Sequence, residues 1–250
     1  MGQNGRVPFD ETAPQGPARP TGDGAAGVVP GIALRPEPAE HRCMGRVVAD
    51  SSDRVNWLRA RTRGITATDV AKLSTPRSIE AAADSKLNGS GFAGNPYTEY
   101  GRRREPVIAA WVREQFGIEP SSLLFHSADE VRHLATPDGI ALRPDGRVEL
   151  AEIKTTNKAW GKIPKHYLRQ VWWQQYVIGA ERTLMVWEEH RDFRPLHDVP
   201  KHVWVDRDDA AIADLIDNAN RLIDLLHSKT QAARVRAERR ADYGPAALNY

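Results

Sequence analysis

Apolar residues recur along the chain at two spacings, which separate helices from strands. Spacing of three and four residues predicts four helices, at about 53–61, 98–116, 164–178 and 209–227. A shorter helix is predicted over 66–73, where Thr66 can cap the first turn and Val70 and Leu73 face inward. The stretch 86–95 is rich in Gly, Ser and Asn, which indicates a mobile loop.

Short apolar runs between these helices predict strands at 123–125, 139–142, 148–155, 183–187 and 203–205. Two of them flank Pro144-Asp145-Gly146, a turn signal, because proline presets one backbone dihedral and glycine permits the next. We therefore expect a hairpin here and an α/β fold with a mixed central β-sheet flanked by helices. The last amphipathic helix should cover an outer face of that sheet.

Composition divides the chain into three parts. Residues 1–45 are crowded with Gly, Pro and Ala and lack an apolar period, so we expect a disordered tail. Residues 46–228 should form one folded domain. The Arg-rich residues 229–250 lack a core-forming pattern and are expected to be a frayed or disordered basic tail.

Charge and cysteine content exclude several classes of protein. The net charge is only +2, so binding of a polyanion must rest on local basic patches. One cysteine, Cys43, excludes an intramolecular disulfide, a Cys-ligated zinc site and a four-cysteine iron–sulfur cluster. No apolar run is long enough to span a bilayer, and no signal-peptide pattern is present. We expect a cytoplasmic protein without a membrane partner.

The predicted hairpin places charged side chains together. Successive residues of a strand point to opposite faces, so Glu152 and Lys154 share one face. If the loop consists of residues 144–146, Asp138 comes opposite Glu152, with side chains roughly 5 Å apart. A two-residue loop would shift this pairing by one residue. In either register Asp145 lies at the turn, far from Glu152.

Two adjacent carboxylates repel each other unless a cation lies between them, and oxygen ligands suit Mg²⁺ or Mn²⁺ better than zinc. A metal ion beside a lysine is the arrangement that phosphodiester hydrolysis requires. The alternative is a solvated Glu–Lys pair on a surface hairpin, worth about 0–1 kcal/mol.

Polar residues on neighbouring helices extend this candidate site. Gln170 and Gln174 lie on an otherwise apolar helix face, where a buried amide needs a hydrogen-bond partner. We favour the active site for Gln170 and a core network for Gln174, and leave Tyr167 open between the two. Glu105 lies one turn before Ile108, so its carboxylate leans towards the buried side.

The order of these motifs resembles that of the PD-(D/E)xK nuclease superfamily, and within it the YqaJ-like viral recombinase group, to which lambda exonuclease belongs. The resemblance covers about residues 57–187. It is carried by the following segments: Arg61 with 64–69, 101–106 around Glu105, Thr136-Pro137-Asp138-Gly139, Glu152-Ile153-Lys154, and Gln170.

This resemblance implies a restriction-endonuclease-like core and specific roles for the residues that match. Asp138, Glu152, the backbone carbonyl of Ile153 and Glu105 would bind Mg²⁺, with Mn²⁺ tolerated. Lys154 would position the attacking water. Gln170 would lie near the scissile phosphate. Arg61 and Thr68 would receive a terminal 5′-phosphate, although serine is usual at the position of Thr68.

The implied function is a 5′-to-3′ DNA exonuclease of phage-type recombination, with a single-strand annealing protein as partner and a homo-oligomeric ring as assembly. An endonuclease or repair nuclease of the same superfamily, or a DNA-binding module that has lost catalysis, are the alternatives. Further basic residues either contact DNA or form solvated faces: Arg102, Arg103, Arg104, Lys158, Lys162 and Lys165. Trp160 either stacks on a base or packs in the core.

Overall fold

The computed structural model describes residues 43–89 and 94–242, with side chains described as far as residue 239. The chain divides into two units, Met1–Pro36 and Glu37–Tyr250, and the first lies outside the described residues. The predicted disorder of residues 1–45 therefore falls almost entirely outside them. Cys43, however, is buried in the core, so the ordered part begins before residue 46.

Strands and helices alternate through the described residues. The strands are β1 (Val47–Asp50), β2 (Ile65–Thr66), β3 (Glu119–Pro120), β4 (Leu123–His126), β5 (His133–Ala135), β6 (Gly139–Leu142), β7 (Val148–Thr156), β8 (Arg182–Arg191), β9 (Arg194–Pro195) and β10 (Lys201–Asp206). The helices are α1 (Arg54–Thr62), α2 (Ala67–Val70), α3 (Pro76–Asn88), α4 (Pro96–Phe116), α5 (Lys165–Ile178) and α6 (Asp209–Asp242).

The central sheet is six-stranded and mixed, in the order β10-β8-β7-β6-β3, with β9 paired to β8. Strands β6 and β7 are antiparallel, with Gly139 opposite Ala151 and Leu142 opposite Val148. The N–H of Arg143 donates to the carbonyl of Arg147 at 2.8 Å, which closes the loop in the predicted three-residue register. Strand β8 returns parallel to β7 after α5. The predicted fold class and hairpin are confirmed.

A second sheet, of four strands in the order β1-β4-β5-β2, was not anticipated. The predicted strand at 123–125 belongs to it as β4 and not to the central sheet. Helix α5 contacts strands of both sheets on one side and α6 on another. Its residues Trp173 and Val177 are fully buried in the largest apolar cluster, together with Leu150 of β7. This arrangement fixes α5 across the hairpin.

Helix ends follow the sequence signals. Asp53 caps α1, and Thr66 caps α2 through a reciprocal pair of hydrogen bonds with Asp69. Gly117 ends α4 with φ +61°, and Gly179 ends α5 with φ +84°, left-handed conformations that glycine adopts without strain.

Three predictions about helices were wrong. Helix α3 was missed, and Lys86 to Asn88, expected in a mobile loop, form its last turn; residues 90–93 lie outside the described residues. Helix α6 continues to Asp242, so residues 229–242 are helical and not a frayed tail. Its main contacts are with α3 and α5 and not with a sheet face. Within the described residues, no helix is both long and apolar enough to cross a membrane.

Candidate active site

Asp138 and Glu152 lie together at the open end of the β6–β7 hairpin. The N–H of Asp138 donates to the carbonyl of Ala151 at 3.1 Å, and the N–H of Ile153 donates to Asp138 Oδ2 at 2.7 Å. These bonds extend the ladder beyond Gly139 and Ala151, which brings Asp138 opposite Glu152. The register that was deduced from the turn therefore brings these two carboxylates together.

Glu152 is completely buried and accepts three hydrogen bonds. Lys154 Nζ and Gln170 Nε2 donate to its Oε1, and Gln174 Nε2 donates to its Oε2 at 2.6 Å. Gln170 and Gln174 lie one turn apart on α5, so both amides reach the same carboxylate. A buried charge without such partners is strongly destabilising. The two amides of α5 therefore compensate for the burial of the Glu152 carboxylate.

Gln174 was assigned to a core network in the sequence analysis, and the structure instead places it on Glu152. Its Nε2 is also 3.4 Å from the carbonyl of Thr136. The signal that could have identified it is its spacing of four residues from Gln170 on the same face of α5. The contact of Gln174 with Glu152 was missed because one buried glutamine resembles another in sequence.

The charges of the site act on one another. Burial raises the pKa of Asp138 well above its usual range, and the negative charge of Glu152 raises it further. Burial alone would lower the pKa of Lys154, but the charges of Glu152 and Asp138 outweigh it, so this pKa lies above its usual value. Lys154 therefore remains an ammonium ion beside carboxylates that repel each other.

Glu105 lies on α4, at the exposed rim of the site. Loss of surrounding water raises the pKa of its carboxyl; Lys154 opposes this shift and Glu152 adds to it. Helix α4 approaches β7 closely at Gly101, where an added Cβ would lie 3.3 Å from Thr155 Oγ1. One turn later, Arg104 forms a salt bridge of 2.6 Å with Glu188 of β8.

Glu188 is buried, and it also accepts a hydrogen bond of 2.8 Å from Tyr100 Oη. Burial and the adjacent carboxylate raise the pKa of Tyr100 to about 12. Tyr100 and Arg104 thus fix α4 to β8, which holds Glu105 above the hairpin. Because Arg104 forms this ion pair, the structure assigns it a structural role and not a DNA contact. Arg102 and Arg103 are exposed.

The oxygen atoms present fit a hard divalent cation. Among the described residues, Asp138 Oδ1 receives no hydrogen bond, and no three Asp, Glu, His or Cys side chains form a complete metal cluster. Two carboxylates and a backbone carbonyl are the incomplete set that Mg²⁺ uses, since it keeps several waters. A cation here would also relieve the repulsion that raises the pKa of Asp138.

A pocket opens above these groups. Its lining residues come from α4 and its N-terminal cap, from the end of β7 and from α5: Asn95, Tyr97, Thr98, Gly101, Arg102, Glu105, Ile153, Lys154, Thr155 and Tyr167. The ring of Tyr167 lies 5.6 Å from Lys154 Nζ, within cation–π range. Tyr167, which the sequence left open, is therefore part of this site.

Arg61 lies on α1, which contacts β1 and β2, and Thr68 lies on α2, which contacts α5. The guanidinium of Arg61 lies 4.3 Å from the centre of the Trp57 ring. Burial lowers the pKa of Arg61, and the charge of Asp69 opposes this shift. Thr68 is exposed on α2. Within the described residues, no hydrogen bond or ion pair joins either residue to the Asp138–Glu152 pair.

Trp160 packs against other aromatic side chains. Its ring lies 5.3 Å from Trp187 in a stacked arrangement and 5.1 Å from Tyr167. Lys158, Lys162 and Lys165 follow β7 and are exposed. Among the described residues, none of the three lysines forms an ion pair, which leaves their charges available to a ligand.

A hairpin that sets an aspartate beside a Glu-x-Lys strand, crossed by a helix with glutamines, defines the PD-(D/E)xK class of nuclease folds. The family model of the YqaJ-like viral recombinase domain matches residues 56–181, half of the chain. The protein therefore belongs to the YqaJ-like viral recombinase family.

Solved structures support this assignment at the level of the fold. LHK-Exo in complex with dAMP has a TM-score of 0.61 and 22% identity, over 74% of this chain and 98% of that one. The alkaline exonuclease LHK-Exo from Laribacter hongkongensis has a TM-score of 0.59, with the same identity and coverage. A phage-related exonuclease from Haemophilus somnus 129PT has a TM-score of 0.52 and 13% identity, over 67% and 96% of the two chains. A search of curated protein sequences found no match.

Proposed function

We propose that this protein is a divalent-metal-dependent deoxyribonuclease that hydrolyses phosphodiester bonds as a 5′-to-3′ exonuclease. The observation that carries the proposal is the buried carboxylate of Glu152, which lies beside Asp138 and is held by Lys154 and two glutamines. Acidic groups with raised pKa values, here Asp138 and Glu105, beside a lysine are typical of a catalytic site.

The metal would be Mg²⁺, with Mn²⁺ tolerated, since both prefer oxygen ligands. Asp138, Glu152 and the carbonyl of Ile153 would hold it, and Glu105 would complete the set from the rim. When bound, such an ion polarises a phosphoryl oxygen and lowers the pKa of a water molecule.

The remaining groups position the reactants. The ammonium of Lys154 stays protonated because of its carboxylate neighbours, so it can donate a hydrogen bond to the attacking water and stabilise developing negative charge. Gln170 reaches the same carboxylate oxygen as Lys154 and would contact the scissile phosphate. Gln174, which is fully buried, acts through Glu152 as a positioning residue.

Digestion from a strand end requires a site for that end. Arg61 and Thr68 would receive the terminal 5′-phosphate, the guanidinium supplying charge and the exposed hydroxyl a hydrogen bond. The similar proteins, LHK-Exo and the phage-related exonuclease, are exonucleases, and LHK-Exo was solved in complex with dAMP; these likenesses support release of mononucleotides.

DNA is the proposed partner, together with a homo-oligomeric ring and a single-strand annealing protein that the family resemblance implies. We place the protein in the cytoplasm, where a reducing environment suits a chain with one cysteine.

Labelled DNA ends test the direction and the mode of cleavage. The wild-type protein with Mg²⁺ should release mononucleotides from the 5′ end of a linear duplex and leave a closed circle intact. Cleavage of the circle would instead establish the endonuclease alternative. If the nucleotide labelled at the 3′ end is released first, the enzyme digests from 3′ to 5′.

Glu152→Gln separates catalysis from binding. The variant should bind duplex DNA as tightly as the wild type in EDTA and release no nucleotide in Mg²⁺, because the amide removes the negative charge. If wild type and variant bind equally and are equally inert in Mg²⁺ and Mn²⁺, the protein is a binding module and the nuclease proposal is wrong.

A further inference from the structure

A second cavity adjoins the active-site pocket. It is formed by the turn between β8 and β9 and by residues 157–159, which follow β7, and its volume is about 300 Å³. Tyr97 lines both cavities, so they share a wall. A volume at the lower end of the range for small-ligand sites, roughly 300–1,000 Å³, suits one nucleobase and not a duplex.

The turn beside this cavity is strained. Asp192 and Phe193 have φ +50° and +60°, and they are the non-glycine residues with positive φ among those the structure describes. Such two-residue turns favour Asn-Gly, and for a bulky aromatic residue the left-handed conformation is unusual. Backbone strain of this kind persists where surrounding contacts enforce it, and it concentrates at functional sites.

Three rings hold Phe193 in place. Its ring centre lies 5.3 Å from that of Tyr97, 5.7 Å from that of Tyr100 and 5.7 Å from that of His190. Phe193 nevertheless remains 40% exposed, and Tyr97 remains 50% exposed. The strained turn therefore presents a fixed aromatic face to solvent beside the site.

The wall of the cavity also carries polar groups suited to a nucleotide. His190 is buried, and its Nδ1 has no hydrogen-bond partner within the described part of the chain. Burial lowers the pKa of His190, so the neutral ring can donate or accept a hydrogen bond. Lys158 and Arg191 line the cavity as cations. Asp192 and Glu189 line it as anions, and Glu189 is paired with Lys201 at 2.9 Å.

We infer that this cavity binds one unstacked base of the DNA strand next to the scissile phosphate, with the base stacked on Phe193 and hydrogen-bonded to His190. Lys158 and Arg191 contact the flanking phosphates. The inference rests on the proposed nuclease function and adds to it the residues that contact a base of the bound strand. Aromatic stacking of this type tolerates any base, because every base has a π-face.

A scan with abasic sites tests the contact directly. Short 5′-phosphorylated single strands, each lacking one base, are bound to the wild type and to Phe193→Asn in EDTA, so that no hydrolysis is required. Asparagine tolerates the left-handed conformation and removes the ring. One abasic position should weaken wild-type binding by about five-fold or more. Phe193→Asn should weaken binding of the intact strand by the same factor. This variant should bind the strand that is abasic at the sensitive position as tightly as it binds the intact strand.

Phe193→Tyr, which keeps the aromatic face, should retain wild-type affinity and the same sensitive position. Val55→Asn, at an exposed apolar residue of α1, is the control for an unrelated surface change. If no abasic position shows a loss that depends on Phe193, the base-binding inference is wrong even when the wild type binds and cleaves DNA. If the wild type neither binds nor cleaves DNA, the proposed function and this inference both fail.

Discussion

The buried carboxylate of Glu152 is the residue on which the whole site depends. Hydrogen bonds from Lys154, Gln170 and Gln174 compensate for its removal from water. Two of the donors come from α5 and one from the same strand, so the orientation of the carboxylate is fixed before any substrate binds. Such preorganisation is what electrostatic catalysis requires.

Gln174→Met tests this positioning role, with Gln175→Met as its matched control. Both glutamines are fully buried on α5, but Gln175 donates to Thr183 Oγ1 and the carbonyl of Val205. Each variant should lower the free energy of unfolding by about 1–3 kcal/mol in urea titrations, because each leaves a buried acceptor unpaired. Only Gln174→Met should lower kcat, by about tenfold or more, while DNA affinity in EDTA stays unchanged. Equal kcat values for the two folded variants would reduce Gln174 to a structural role.

At the level of elements, the close approach of β6 to its neighbours sets the geometry of the hairpin. A Cβ on Gly139 would lie 3.0 Å from Ile118 Cγ2, 3.1 Å from Ala151 Cβ and 3.2 Å from the carbonyl of Glu119. An added side chain would therefore press on three surrounding groups, each of which would have to move by a few tenths of an ångström, directly after Asp138.

Gly139→Ala should consequently destabilise the protein by about 1–3 kcal/mol. It should also lower nuclease activity per folded molecule, because separating β6 from β7 displaces Asp138 from Glu152. Gly161→Ala serves as the control, since an added Cβ there meets nothing within 4 Å; its stability should change by less than about 0.5 kcal/mol. Urea unfolding and nucleotide release provide the two readouts. Wild-type stability and activity in Gly139→Ala would contradict this account of the hairpin.

The elements that could be predicted from sequence are those whose signals are local. Pro144-Asp145-Gly146 and strand alternation gave the register that pairs Asp138 with Glu152, and the structure confirms that register. The β8–β9 turn could not be found in this way, because Asp192-Phe193 is not a turn signal.

Other features depend on tertiary contacts. Helix α3 buries only Ile79 and Ala83, which leaves a weak apolar stripe in the sequence, although Thr75 and Pro76 mark its start. The association of β1, β2, β4 and β5 into a second sheet joins distant segments and has no local signal. Side chains 230–239 are exposed, so the helical continuation of α6 leaves no core pattern in the sequence.

For the whole molecule, a net charge of +2 means that DNA binding depends on where the cations lie. Lys158, Lys162 and Lys165 are exposed immediately after the strand that carries Glu152 and Lys154. Their position suits contacts with the phosphate backbone on the approach to the active site, where each contact releases a bound counterion.

Replacing the three lysines by glutamine should weaken duplex binding and reduce the slope of log K against log salt by up to about 2.7, if each contacts one phosphate. Stability should change little, because the side chains are exposed. The control replaces Arg234 and Arg236, which are exposed on α6, by glutamine, and it should leave this slope unaltered. Fluorescence anisotropy over a salt series measures both. An unchanged slope in the triple variant would place the DNA on another surface.

The central claim is that Asp138, and not the aspartate of the turn, forms the acidic pair with Glu152. Both aspartates follow a proline, but Asp145 is exposed and paired with Arg147 at 2.7 Å. Asparagine at either position keeps the size of the side chain. At position 138 it also keeps an acceptor for the N–H of Ile153 and removes one of two adjacent negative charges.

The most direct measurement is therefore Mg²⁺-dependent nucleotide release from a linear duplex by Asp138→Asn and Asp145→Asn side by side. Asp138→Asn should fold at least as stably as the wild type without metal and release nucleotides at least about a hundredfold more slowly, since a metal-site carboxylate is lost. Asp145→Asn should retain the wild-type rate. A wild-type rate in Asp138→Asn, or equal losses in both variants, would contradict the account.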